Sequence, residues 1–126
     1  MTGETIAVLE GNRNHAEFIL RAIARTGRRV VWTKCAWEAL ESGATLVVAS
    51  QAAIGGADAM LQFIAGALMR GQHTIAVTSD RPSTAGADAV SLGAVAVVPG
   101  WWKGEVLARA VDEYYARAHE LASKGD

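Results

Sequence analysis

The sequence is poor in cysteine. Cys35 is the only one in 126 residues, so no internal disulfide forms and a disulfide-stapled secreted scaffold is excluded. Charge of one sign is also lacking. The 12 Lys and Arg nearly cancel the 13 Asp and Glu, which removes the electrostatic footprint of a nucleic-acid or membrane-surface binder. No apolar run reaches the roughly 18 residues of a spanning helix. The opening stretch MTGETIAVLEG has neither the basic patch nor the long apolar core of a secretory signal. The cytoplasm is therefore the expected location. The phosphate-cradling patterns GxxxxGKS/T and GxGxxG are missing. His15, His73 and His119 are scattered, with no metal-ligand spacing and no Ser/His/Asp set. The expectation is a chain with no resident metal, no cofactor and no enzymatic activity.

What is present is a regular alternation. Thr5 to Glu10, TIAVLE, reads as a β-strand, and Asn12 stands as a cap for a helix carrying Phe18, Ile19, Ala22 and Ile23. Gly27 closes that helix, and Arg28 to Thr33, RRVVWT, is a second strand. A short helix over Ala36 to Glu41 follows, and then a third strand over Thr45 to Ser50. Gly55 and Gly56 lead into a helix over about Asp58 to Met69, and Thr74 to Thr78 is a fourth strand. A polar loop from Ser79 to Ser83 precedes a small-residue helix to Leu92. Val95 to Val98 is the fifth strand. The last helix is expected from Trp101 or Trp102 to about Leu121, with Leu107, Val111, Tyr114, Ala118 and Leu121 inward. Four of the five strands are continuous apolar runs, as expected when helices cover both faces of a sheet. The fold class is α/β, a doubly wound (βα)5 parallel sheet in a single domain with an ordered core over about residues 4–121.

In such sheets ligands gather outside the carboxyl ends of the strands. Those ends carry Glu10 and Gly11, Ser50, Thr78 and Ser79, and Val98 to Gly100. The alternation and these positions resemble the receiver domain of two-component response regulators. VLEG, Val8 to Gly11, lies where the family carries paired acids. TLVVAS, Thr45 to Ser50, lies where it has the strand ending in the phospho-accepting aspartate. IAVTS matches the strand ending in Thr or Ser, and LGAVAVVPG matches the Gly-Ala turn and the last strand before Lys-Pro. The resemblance implies a flavodoxin-like sheet in the order 2-1-3-4-5 and a role in bacterial signal transduction.

The chemistry departs from the family. Glu10 keeps one acid, Gly11 replaces the second, and Ser50 stands in the acceptor position. Thr78 is retained, and Val98 replaces the lysine before Pro99. Phosphorylation needs an ionised nucleophile, a cation such as Mg²⁺ held by carboxylates, and positive charge on the transferring group. These positions lack most of that set, and Ser50 would need a neighbouring base. The reading is a degenerate pseudo-receiver: a phosphorylation-independent protein–protein interaction module whose partner is a signalling protein, a kinase or a neighbouring domain.

Individual residues carry competing readings. Glu10 is a relic metal ligand, an anchor for its loop through Arg13 or Arg81, or, preferably, a solvated or salt-bridged acid. Ser50 is a packing hydroxyl capping a buried corner rather than a kinase substrate, and Thr78 makes a local hydrogen bond. Cys35 is a small buried or helix-start residue, and Trp32 and Trp37 pack inward. Arg21 and Arg25 share one stripe of the first helix. Trp101 and Trp102 are adjacent, and neighbours on a helix diverge by about 100°, so at least one is exposed. Exposed tryptophan marks interfaces. Trp101 and Trp102 are thus the first interface candidates, with a homodimer through the last helix as one outcome; Arg21 and Arg25 are the second. Two rival readings are a flavin or nucleotide binder using the pocket around Glu10, Ser50 and Thr78, and a receiver that keeps Mg²⁺ without phosphotransfer.

Overall fold

A computed structural model describes residues 5–78 and 93–124. The elements are β1 (Thr5–Leu9), α1 (Arg13–Ala24), β2 (Arg29–Thr33), α2 (Ala36–Glu41), β3 (Leu46–Ser50), α3 (Gln51–Ile54), α4 (Ala57–Met69), β4 (His73–Val77), β5 (Ala96–Val98) and α5 (Gly104–Lys124). The strands form one parallel sheet in the order β2-β1-β3-β4-β5. The expected fold class and strand order hold. The loop expected at 79–83 and the helix after it lie outside the described residues.

The side-chain period of two divides the strands between two cores. Ile6, Val8, Leu46, Val48, Ile75 and Val77 face one side. There α1 lays down Ile19, Ala22 and Ile23, and α5 lays down Leu107, Val111 and Tyr115. Ala7, Leu9, Val47, Ala49 and Ala76 face the other side, against Ala39 of α2 and Met60, Phe63, Ile64 and Ala67 of α4. Small strand residues on that face are matched by bulky residues on α4, so the layer fills.

Each helix start has a local cause. Asn12 caps α1 as expected: its Oδ1 accepts the His15 N–H at 3.1 Å. Cys35 holds the cap position of α2 and is exposed rather than buried, with no side-chain cap bond. The short α3 was not legible, because four residues show no periodicity. The last helix begins at Gly104 instead of at the tryptophans. Lys103 N–H donates to the Gly100 carbonyl and Leu107 N–H to Lys103, so a turn precedes the helix.

Two more expectations are corrected by packing. The inward tyrosine of α5 is Tyr115, 4% exposed, because the buried stripe runs Leu107, Val111, Tyr115 at steps of four. Tyr114 is half-buried and turns toward β4, where its hydroxyl meets His73 Nδ1 at 2.7 Å. Arg28 lies over the Tyr115 ring, 4.3 Å from its centroid, and bonds Asp112 at 2.7 Å, tying the start of β2 to α5. Trp37 is 62% exposed, since α2 spans under two turns and buries Ala39 instead. Trp32 is half-buried as expected, with its indole N–H donating to the Glu10 carbonyl at 2.8 Å.

Ile75 has no exposed surface in the middle of the sheet, whereas Met69 is 90% exposed at the end of α4. Ile75→Ala is expected to lower the unfolding free energy by about 2–5 kcal/mol with the denaturant slope unchanged. Met69→Ala is expected to stay within about 0.5 kcal/mol. Urea titration followed by circular dichroism checks both.

Candidate functional site

Parallel pairing brings the strand ends to one edge. Leu9 pairs with Ala49 and Ser50 with Val77, so Glu10, Ser50 and Thr78 follow on three neighbouring strands. Glu10 is 2% exposed, which corrects the solvated reading. Its Oε2 accepts the Asn12 N–H at 3.0 Å, while Oε1 is buried with no hydrogen-bond partner among the described residues. The loop anchor is thus the Asn12 amide. Arg13 points instead at Glu17, 3.4 Å away, and Arg81 lies outside the described residues.

Gly11 is exposed and adds no side chain. Ser50 is 7% exposed at the cap position of α3, and its hydroxyl makes no cap hydrogen bond to that helix. The first turn of α3 is held through the backbone, with Gly55 and Gly56 N–H both donating to the Gln51 carbonyl. Thr78 is half-buried, and its N–H donates to the Val98 carbonyl at 3.0 Å, closing β4 against β5.

Beside this edge the β5–α5 turn builds an aromatic group. Trp101 stacks on His15, with ring centroids 4.0 Å apart and planes 15° apart. Phe18 meets Trp101 edge-on at 5.5 Å, and Trp102 meets it edge-on at 5.6 Å. Trp101 is half-buried, while Phe18 is 40% and Trp102 43% exposed. Phe18 was expected in the core by helical spacing. It leans outward because α1 and α5 approach closely: a Cβ on the buried Gly104 would lie 3.4 Å from both Phe18 Cε1 and Ala22 Cβ. His15 was missed as a partner of Trp101; its position three residues before Phe18, on the same helix face, was the available signal. Arg21 and Arg25 are exposed farther along α1, and no ring contact joins them to this group.

A signal receiver domain from Vibrio parahaemolyticus superposes with a TM-score of 0.80 at 14% identity, covering 99% of this chain and 98% of that one. A response regulator from Thermotoga maritima gives 0.76 at 18% identity, covering 89% and 97%. A response regulator receiver domain protein from Methanospirillum hungatei gives 0.75 at 14% identity, covering 94% and 98%. The chain has the receiver fold. No family profile and no curated protein matches the sequence.

The receiver likeness implies Mg²⁺, and the residues present fit it poorly. The ion takes carboxylates, phosphate oxygens and water in near-ideal octahedral geometry. Among the described residues Glu10 is the one acid at the meeting of β1, β3 and β4, and one of its oxygens is already bound to an amide. No group of three or more His, Cys, Asp or Glu able to hold a metal occurs among the described residues. No helix of the described residues is long and apolar enough to cross a membrane.

Gly100 locks the aromatic group to the strand end. Its φ is 142°, and a Cβ there would lie 2.9 Å from Cε2 and Cζ2 of Trp102. Gly100→Ala is expected to destabilise by about 1–3 kcal/mol through strain and displacement of the indole. Thermal unfolding and tryptophan emission measure this; an unchanged spectrum and midpoint would contradict it.

Proposed function

We propose that this chain is a receiver-fold regulatory module of two-component signalling that works by protein contact and without aspartyl phosphorylation. It is a pseudo-receiver, not an enzyme, acting in the bacterial cytoplasm. The carrying observation is the charge at the strand ends: among the described residues there is one carboxylate, buried and bonded to an amide, beside a neutral serine at the end of β3. A nucleophile that is not ionised at neutral pH needs a base. Among the described residues at this edge Glu10 is the one acid, and its Oε2 is bonded to the Asn12 N–H.

The surface that remains for carrying a signal is aromatic. Phe18, Trp101 and Trp102 bridge the amino ends of α1 and α5, and Trp102 offers nearly half its area to solvent. Aromatic anchors of this type dominate interface energetics. The basic stripe of Arg21 and Arg25 extends along α1 from Phe18, and it supplies polar rim contacts to a protein partner.

Incubation with acetyl phosphate and Mg²⁺ tests the chemistry. Intact mass is expected to show no acyl phosphate, and beryllofluoride with Mg²⁺ to leave tryptophan emission unchanged. Stoichiometric phosphate at a strand end would refute the reading. For the surface, Trp101→Ala/Trp102→Ala is expected to cut partner recovery from the native host by at least about tenfold, as loss of two aromatic anchors implies. Equal recovery by the variant and the wild type would remove the interface assignment.

A further inference from the structure

The amino ends of β4 and β5, at the opposite edge of the sheet from Glu10 and Ser50, are bordered by the outer half of α5. A cleft of about 270 Å³ opens between them. Its apolar walls are Val95, Ala96, Ala110 and Ala118. The hollow exists because α5 places alanine at 110 and 118, about one turn on either side of Tyr114, and β5 places alanine at 96. A larger residue at any of the three would fill it. At one wall the imidazole of His73 and the hydroxyl of Tyr114 are bonded at 2.7 Å, with their rings edge-on at 5.4 Å. That bond fixes both rings and gives the cleft a rigid polar side.

The rim carries two opposite charges, Glu113 and Arg117. They are four residues apart on one helix, in the order that favours a Glu–Arg ion pair. Elsewhere the chain pairs its charges: Arg13 with Glu17 along α1, and Arg70 with Glu41 across the fold. Glu113 and Arg117 make none with each other or with another described residue, and both face solvent at the cleft. An acceptor and a donor, spaced by one helical turn over an apolar hollow, match a ligand with an ammonium, a carboxylate and an apolar body.

We propose that this cleft binds a free apolar α-amino acid, with its carboxylate on Arg117, its ammonium on Glu113 and its side chain against Ala96, Ala110 and Ala118. The volume is just under the roughly 300 Å³ at which drug-sized pockets begin, which suits a ligand of this size. The site shares no residue with the aromatic group of the strand ends. It therefore stands or falls independently of the proposed interface.

Titration calorimetry of the whole chain with L-leucine and L-phenylalanine tests it. Three probes dissect the recognition: 4-methylpentanoate lacks the ammonium, 3-methylbutylamine lacks the carboxylate, and glycine lacks the apolar body. L-leucine or L-phenylalanine is expected to bind with a Kd at or below about 1 mM, and each probe at least about tenfold more weakly. Arg117→Gln and Glu113→Gln are each expected to weaken binding by about tenfold or more, as loss of a charge-assisted bond does. Ala110→Phe is expected to abolish it by filling the hollow. If that variant does not fold, the two substitutions at exposed positions still decide. Trp101→Ala/Trp102→Ala is expected to bind as the wild type. Absence of binding by both amino acids would overturn the proposal. So would equal binding of either single-charge probe, or wild-type affinity in the Arg117 and Glu113 variants.

Discussion

The structure depends on burial of β3 from both sides. Leu46 to Ala49 expose nothing, and Ser50 almost nothing. A strand in that position has to hydrogen-bond to a neighbour on each edge, and β1 and β4 meet the need in parallel. Parallel pairing in turn demands crossovers, which place α1 and α5 on one face and α2 and α4 on the other. Every strand then ends at the same edge. The position of Glu10 beside Ser50 and Thr78 follows from this packing requirement and owes nothing to the chemistry of those three residues.

From that edge a chain of contacts leads outward. Glu10 holds the Asn12 amide, Asn12 caps α1 at His15, and His15 stacks on Trp101. A buried carboxylate with one bond unmade is costly, and costly buried polar groups persist where they fix a conformation. Here the conformation fixed is the entry to α1, which orients the ring under Trp101. The acid at the end of β1 thus has a mechanical use: it braces the loop that leads into α1, whose His15 stacks on Trp101.

Much of the fold was legible because its signals are strong and local. Continuous apolar runs such as LVVA mark doubly covered strands, and Asn12 and Gly27 mark the two ends of α1. The site was legible in its composition but not in its geometry. Glu10 looks like a surface acid in sequence because a carboxylate at a strand end is ordinarily solvated. Its burial comes from the sheet, and its one bond from an amide, which sequence does not advertise. Phe18 and Tyr114 fit a helical period, yet Phe18 leans outward and Tyr114 turns toward His73 of β4. In each case a neighbour decides: Gly104 draws the helices too close for Phe18, and the alternative stripe through Tyr115 is sealed by Arg28. His15 meets Trp101 across 86 positions of chain, a distance no window of sequence spans.

The outer strand of the sheet has a consequence for how this molecule meets others. β5 is only three residues long. So brief a ribbon presents few backbone groups for a foreign strand to zip onto, and short margins of this kind are a known safeguard against runaway assembly. Association at that side has to be negotiated by side chains, one complementary surface at a time, and so stays reversible and selective.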